Sequence, residues 1–464
     1  MDVLSCFKSY DVRGRLGDEL TPDICYRIGR AFAACMAPGV TVVGRDARDS
    51  SPALQAALAE GLCDGGSDVV DIGLCGTEEV YFATDHFGAG GGLMVTASHN
   101  PVDYNGIKLV RAGARPISRD NGLEAIHDIA ASGTFPDPGR TGTLLREDPR
   151  PAYVARVLSF VDTDQFAPLR ILVNAGNGSA GPTFDAIADR LAAAGAPLAF
   201  ERLHHDPDST FPNGIPNPLL VENRAVTSQA VVSAGADFGV AWDGDFDRCF
   251  LFDETGAFID GEYIVGLMAA AFLAKVPGAR IVHDPRVVWS TRDVVAAFGG
   301  EAVVSRTGHA LIKARMREVD AVYGGEMSAH HYFRDFMYCD SGMIPWLLVA
   351  ERIAATGRPL SALVADMRAR FPSSGEINFE IADPAGAMAR IEADYAAQAV
   401  QTDRLDGVSM TFPDWRMNLR KSNTEPLLRL NVETRGDRAL LDRKVADLQD
   451  RINNLSTDGA SAPA

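Results

Sequence analysis

The chain has 464 residues, 46% hydrophobic and 23% charged, with 62 acidic against 44 basic side chains and a formal net charge of −18. That length is too great for one ordinary core and predicts three or four domains. The negative charge argues against nucleic acid or an anionic membrane as partner, so an anionic small substrate would need a locally basic or metal-bearing pocket. No apolar run approaches a membrane span, and the N-terminus lacks the charged-then-apolar layout of a signal peptide, so the cytoplasm is the expected compartment. The seven cysteines are scattered, odd in number and never in a C-x-x-C pair, which argues against a disulfide framework and a structural zinc site.

In chain order, a polar segment, Phe7 to Gly14, precedes a helix expected from Thr21-Pro22. Val40 to Val43 reads as a buried strand, and Ser50-Ser51-Pro52 as a cap and first turn opening a helix to about Gly61. Asp68 to Gly73 and Leu93 to Val95 read as further strands, and strands alternating with helices predict a parallel, doubly covered sheet. The pattern recurs with strands at Leu169 to Val173 and Phe238 to Trp242, and a helix expected from Pro182. It recurs again with strands at Ala279 to His283, Glu301 to Val304 and Ala321 to Glu326. After about residue 368 the segments Glu376 to Ile381, Val408 to Phe412 and Leu427 to Val432 alternate as half-buried antiparallel strands do. Asn454 to Ala464 reads as a frayed tail. The expected fold is therefore α/β: three successive mixed or parallel α/β sandwich domains (1–150, 151–254, 255–368) and a smaller α+β C-terminal domain (369–464).

Four stretches carry chemistry. Thr96-Ala97-Ser98-His99-Asn100-Pro101 follows the strand at Leu93 to Val95, and Pro101 forbids the strand from continuing. Ser98 thus sits on a turn at a strand's end, where open α/β sheets place reactive groups. A serine hydroxyl needs an activating neighbour, and His99 and Lys108 are the nearest in sequence. Asp243-x-Asp245-x-Asp247 puts three carboxylates just beyond a strand, a hard-oxygen set suited to Mg²⁺. It is not a calcium loop, because Arg248 stands where that loop requires glycine. Arg248 is read as a phosphate ligand. Gly325-Glu326-Met327-Ser328-Ala329-His330-His331 groups a carboxylate, a hydroxyl and imidazoles, suited to sugar hydroxyls and proton transfer. Adjacent histidines in extended chain face opposite ways, so one of the two is expected to be structural. Thr307-Gly308-His309 adds a helix start and a third imidazole. Arg420-Lys421-Ser422-Asn423-Thr424-Glu425-Pro426 interrupts two strands with cations, hydroxyls and free backbone N–H groups, a phosphate cradle. With Arg13, Lys108 and Arg248 it meets the requirement for a basic pocket in an acidic protein.

Taken together, in this order and spacing, these four motifs and Tyr10-Asp11-x-Arg13-Gly14 resemble the α-D-phosphohexomutase superfamily over nearly the whole chain. The chain is most similar to bacterial phosphomannomutases, including those that also act on glucose phosphates. Gly73 to Glu79, His283-Asp284-Pro285-Arg286 and Met327 to Trp346 carry that narrower resemblance, and Met327 separates the chain from phosphoglucosamine mutases. Trp289-Ser290 and Lys421 depart from the family's usual Trp-Asn and Ser.

The resemblance implies four domains around a central cleft and a phosphoserine at Ser98. It implies reversible interconversion of mannose 1-phosphate and mannose 6-phosphate through a hexose 1,6-bisphosphate, which is both intermediate and activator. Asp243, Asp245 and Asp247, together with the phosphorylated Ser98, would hold Mg²⁺; Lys108, His330 and His309 would manage the hydroxyl proton, with Arg248 on the phosphate. Tyr10, Arg13, Arg286, Glu326 and Ser328 would bind substrate, while Arg420, Ser422, Asn423 and Thr424 would hold the phosphate that is not reacting. Phosphoglucomutase or dual activity is the nearest alternative. A sugar phosphatase would have no use for a second phosphate site, and a non-catalytic sensor would dispense with Ser98 or the aspartates.

Overall fold

The computed structural model describes residues 4–36, 39–421 and 427–458. These fall into two compact units, one running to Ile259 and resuming over Ser328–Leu360, the other made of Asp260–Met327 and the chain from Ser361 onward.

The first sheet of the first unit takes its strands in the order Val12–Arg15, Tyr104–Arg111, Gly91–Val95, Val40–Arg45, Asp68–Leu74, Leu144–Arg146. The last four are parallel, while Tyr104–Arg111 runs antiparallel to Gly91–Val95, and Val12–Arg15 antiparallel to Tyr104–Arg111. Both faces are buried: Val43, Leu93 and Val95 enter one core with Phe32 and Leu58, and Val42 and Met94 enter another with Val80. That is why these strands read as unbroken apolar runs. Tyr104–Arg111 is not legible as a strand in sequence, because polar and glycine residues disguise it.

A second sheet in the same unit orders Cys249–Asp253, Phe238–Trp242, Leu169–Asn174 and Leu198–Leu203, the last three parallel. The hairpin between Phe238–Trp242 and Cys249–Asp253 carries the aspartate loop on its connection. Helix Met343–Thr356 brings Trp346 against Phe184 and Phe200.

In the second unit Arg280–His283 lies between parallel Glu301–Val304 and Tyr323–Gly325, covered by the almost wholly buried helix Gly261–Lys275. An antiparallel sheet follows in the order Ser373–Glu380, Leu427–Thr434, Trp415–Lys421, Val408–Thr411, Gln401–Asp403. Three α/β layers followed by an α+β layer match the expected fold class.

Three local expectations are corrected. The helix expected from Pro182 begins at Ala180. Ser50 precedes helix Ser51–Asp64 with helical dihedrals and makes no side-chain cap; its hydroxyl instead accepts from Asn105 Nδ2 at 2.8 Å. The polar tail from Asn454 is helical to Asp458, because helix Arg438–Asp458 keeps Ile452 and Leu455 on the C-terminal core. Residues 459–464 lie outside the described residues.

Candidate active site

Strand Gly91–Val95 is buried throughout and delivers its C-terminal end to the Ser98 turn. Ser98 has φ 50°, a left-handed conformation that costs a non-glycine residue about 1 kcal/mol or more. Two interactions hold it there. Thr96 Oγ1 accepts from Ser98 N at 2.8 Å, and Arg48 Nη2 donates to the carbonyls of Ser98 at 3.0 Å and Asn100 at 2.6 Å. Arg48 Nη1 donates to Pro101 O and Tyr104 O, and Asp46 accepts from Arg48 N and Ser51 Oγ. Asp46 and Arg48, just past strand Val40–Arg45, belong to none of the sequence motifs; their polar types at that strand's end are the available signal. Arg13 also belongs to this turn: its Nε donates to Asp11 at 2.8 Å and its Nη1 to Asn100 Oδ1. Tyr10 is half-buried in the bend just before it.

The aspartate loop meets the turn closely. A Cβ on Gly244 would stand 2.5 Å from Ser98 O, so only glycine permits the approach. Ser98 Oγ donates to Asp243 Oδ2 at 2.7 Å and lies 3.0 Å from His99 Nδ1. His99 is held well below the usual imidazole range by burial and by Arg248 and Arg13. Ligand oxygens of Asp243, Asp245 and Asp247 lie within 4.8 Å of one another, and all three residues are buried. The Oδ1 atom of each is buried with no hydrogen-bond partner among the described residues. Buried carboxylate oxygens left unpaired are costly. Three converging on one point fit a hard divalent cation.

Lys108, on Tyr104–Arg111 opposite Met94, donates to Asp245 Oδ2 at 2.7 Å and Asp247 Oδ2 at 2.5 Å. Burial alone would depress its ammonium; Asp245 and Asp247 overcome that and raise it. Burial would likewise raise Asp245, but Lys108 and Thr77, whose Oγ1 donates to Asp245 Oδ2 at 2.5 Å, hold it low. Asp243, with only Arg248 and Lys108 to offset burial, Asp247 and Asp245, is pushed up to about 7.

Arg248 Nε donates to His330 Nε2 at 3.0 Å and lies 3.6 Å from Asp243 Oδ2, so it is in contact with the acids. A guanidinium only donates, so His330 Nε2 presents its lone pair here. His330 Nδ1 is 2.9 Å from Asp340 Oδ2. The neighbouring His331 is fully buried and lowered to about 3 by burial and then His330, the structural member of the pair. The first unit therefore brings together Ser98, Lys108, Arg248, His330 and the three aspartates.

The second unit gathers another set. Glu326 Oε1 accepts from Gly308 N at 3.0 Å, at the start of helix His309–Val319. Arg286 Nη2 lies 2.7 Å from Asp284 and 3.8 Å from Glu326, and its Nη1 3.3 Å from Glu376. Arg420 Nη2 donates to Glu376 Oε2 at 2.8 Å. Glu376 was not anticipated from sequence. Ser328, where the chain re-enters the first unit, lies half-buried in the turn after Met327. Ser422, Asn423 and Thr424 lie outside the described residues.

The comparisons with known proteins cover the whole chain. Residues 5–137, 151–256 and 260–371 match the phosphoglucomutase/phosphomannomutase α/β/α domains I, II and III, and residues 376–451 match the C-terminal domain. A phosphomannomutase of Salmonella montevideo is 58% identical over 456 residues, covering 98% of this chain and 100% of that protein. One from Escherichia coli K12 is 56% identical over 455 residues, covering 98% and 100%. The crystal structure of a phosphoglucomutase/phosphomannomutase family protein from Burkholderia thailandensis aligns with a TM-score of 0.86 at 31% identity, over 100% of this chain and 99% of that one. With all four domain models matched in order, this chain belongs to the phosphoglucomutase/phosphomannomutase family.

Proposed function

We propose that the protein is a phosphomannomutase, an isomerase that interconverts mannose 1-phosphate and mannose 6-phosphate. The relatives supporting this reading are phosphomannomutases 56–58% identical over nearly the whole chain. The observation that carries the chemistry is Ser98 Oγ, 2.7 Å from one of three aspartates whose remaining oxygens are unpaired among the described residues. The four-domain division at residues 150, 254 and 368 belongs to the same proposal.

Ser98 carries the phosphoryl group. In the forward half-reaction the bond from Ser98 Oγ to phosphorus breaks and a new one forms to a hydroxyl of the sugar phosphate, giving the 1,6-bisphosphate. In the second half-reaction Ser98 Oγ, oriented by its hydrogen bond to Asp243 Oδ2, attacks the other phosphoryl, the bond from phosphorus to the sugar oxygen breaks, and the serine's proton ends on that sugar oxygen, the reverse of the proton exchange in the first half-reaction. His330, whose Nε2 accepts from Arg248 and whose Nδ1 lies 2.9 Å from Asp340 Oδ2, serves the substrate's proton once Arg248 turns to the phosphate. Mg²⁺, bound by Asp243, Asp245 and Asp247, would supply charge neutralisation for the phosphoryl oxygens. Lys108 holds two of these aspartates in position. Glu326, Ser328 and His309 serve the sugar hydroxyls and their protons, with Tyr10 and Arg13 also on substrate. Arg286, Arg420 and the loop Ser422-Asn423-Thr424 hold the phosphate that is not reacting. Positioning and electrostatics of this kind account for most of enzymatic phosphoryl transfer.

A second reading, activity on other hexose phosphates as well, is favoured by relatives from Xanthomonas campestris described as phosphohexose mutases, 56% identical over 450 residues. The test is to supply mannose 1-phosphate with Mg²⁺ and a trace of hexose 1,6-bisphosphate. Mannose 6-phosphate should form with no net release of inorganic phosphate; phosphate released in step with substrate loss would make the protein a phosphatase. The ratio of kcat/KM for mannose 1-phosphate and glucose 1-phosphate decides between single and dual specificity.

A further inference from the structure

In the second unit, residues 284–288 join strand Arg280–His283 to helix Trp289–Ala297, and all of them are buried. A buried loop must find partners for its backbone polar groups. Here two side chains of the C-terminal sheet supply them. Arg416 Nη2 donates to Pro285 O at 2.6 Å and Arg416 Nη1 to Arg286 O at 2.9 Å. Glu433 accepts from Val288 N and Trp289 N, each at 2.9 Å. Arg416 and Glu433 stand opposite one another on antiparallel strands Trp415–Lys421 and Leu427–Thr434 and pair at 3.1 Å. Ser409 Oγ, on the neighbouring strand Val408–Thr411, accepts from Arg416 Nη2 at 2.9 Å. An ion pair joining only these strands would be complete with Glu433 and Ser409. Arg416 instead sends two of its donors out of the sheet, to the carbonyl of Arg286 and that of the residue before it. The Arg286 head group faces three carboxylates: Nη2 lies 2.7 Å from Asp284 Oδ2 and 3.8 Å from Glu326 Oε1, and Nη1 3.3 Å from Glu376 Oε2. Asp284 is fixed by the same loop and by the segment after Glu326, since it accepts from Arg286 N and from Met327 N, each at 2.9 Å. A shift of the loop carbonyls would therefore carry the Arg286 guanidinium with it.

We propose that Arg416 is a positioning residue for Arg286: its guanidinium fastens the Pro285 and Arg286 carbonyls to the C-terminal sheet, so that Arg286 keeps a fixed place relative to the strand that carries Arg420. The inference rests on the reading of Arg286 as a ligand of the substrate's phosphate. A guanidinium suits this task because its planar fork offers donors at fixed spacing to two successive carbonyls while remaining charged beside Glu433. A lysine ammonium would keep the charge, but as a point donor on a flexible stem. Binding groups displaced by about an ångström lose much of their effect. The non-reacting phosphate is held alike in ground and transition states, so a misplaced Arg286 should show in KM rather than in kcat. Arg416 is silent in the sequence, since it belongs to none of the motifs and lies 130 positions from Arg286.

The test uses the full chain with Mg²⁺ and a trace of hexose 1,6-bisphosphate, and reads KM and kcat for mannose 1-phosphate beside Tm. Arg416→Met should lower Tm and raise KM about tenfold, the effect of losing one charged hydrogen bond, with kcat changed by less than about threefold. Arg416→Lys should recover most of the Tm, because its ammonium still pairs with Glu433, and should leave KM raised. If KM returns together with Tm, or rises in neither variant, Arg416 serves stability alone and the proposal is overturned. A double-mutant cycle gives a second readout. Arg286→Met should raise KM by itself, and Arg416→Lys added to it should raise KM no further, because Arg416 acts on substrate only through Arg286. Effects that multiply would refute the positioning role while leaving Arg286 as a substrate ligand. An unchanged KM in Arg286→Met would instead remove Arg286 from the substrate, and the proposal with it. Should Arg416→Met fail to fold, Arg416→Lys and the cycle carry the test by the same outcomes.

Discussion

Ser98 is held in a left-handed conformation by a buried arginine it never contacts through its own hydroxyl. Arg48 spends its guanidinium on four carbonyls of the turn, those of Ser98, Asn100, Pro101 and Tyr104. Arg48→Met should leave the aspartate loop in place yet release the turn, lowering kcat about 100-fold by misplacement of the nucleophile, a sensitivity typical of positioned groups. Steady-state kinetics beside a thermal melt checks this, and an unchanged kcat would assign Arg48 to stability alone. Active protein should carry a covalent phosphate by intact mass, and Ser98→Ala should abolish both that phosphate and nearly all turnover; full activity in that variant would remove Ser98 from the mechanism. Thr77 is a positioning residue for Asp245, to which it donates at 2.5 Å. Outer-shell partners of metal ligands are worth roughly 10–100-fold in metal affinity. Thr77→Val should therefore weaken Mg²⁺ binding by about that factor in a direct titration, and Thr77→Ser should restore it.

At the scale of elements, the start of helix Gly261–Lys275 contains a buried acid with a measurable consequence. Glu262 is 2% exposed, and burial followed by repulsion from Asp260 pushes it up to about 8 from the ordinary 4.5. The folded state therefore binds more protons than the unfolded state between about pH 4.5 and 8, so stability is greatest below that window and falls as pH rises through it. Glu262→Gln should flatten the Tm profile across this range, with its largest gain over the parent near pH 8. A profile of the same slope in both proteins would contradict the assignment. A second element depends on a carboxylate from a distant strand. Glu433 accepts from Val288 N and Trp289 N, each at 2.9 Å, at the start of helix Trp289–Ala297, and pairs with Arg416 at 3.1 Å. It satisfies free helix N–H groups and favours the helix dipole. Removing one member of a buried ion pair costs about 3–5 kcal/mol, so Glu433→Ala should lower the denaturant midpoint by a corresponding amount.

For the molecule as a whole, the four matched domain models span residues 5–451 apart from short joints. Among the described residues no helix is long and apolar enough to cross a membrane, and the cysteines are all free. The excess of negative charge is reconciled with an anionic substrate by local composition, since the acids at the aspartate loop are matched by Lys108, Arg248 and Arg13, and Glu376 is surrounded by arginines. Thorough chelation of the purified protein should reduce turnover to near background, and Mg²⁺ should restore it; turnover that persists without divalent metal would exclude the role given to the aspartates.

Sequence alone determined the fold class, the family and the motif residues, because buried parallel strands are continuous apolar runs and because turn chemistry is written in short contiguous words such as Thr96 to Pro101. It could not reveal Tyr104–Arg111 as a strand, since Asn105, Gly106 and Lys108 are there for the site rather than for β propensity. Nor could it reveal Arg48, Thr77 or Glu376, each of which acts on a residue far away in the chain, at separations of 50 for Arg48–Ser98, 168 for Thr77–Asp245 and 44 for Glu376–Arg420. Their side chains are common surface types, and only the folded chain takes them out of water. The helix reaching Asp458 was hidden for the converse reason: a polar segment from Asn454 with Leu455 as its one large apolar residue looks like a tail until a core is present to receive it. Local words carry what a residue's neighbours in sequence decide, whereas burial and cross-strand register are decided by which distant segments meet, and tertiary structure alone supplies that.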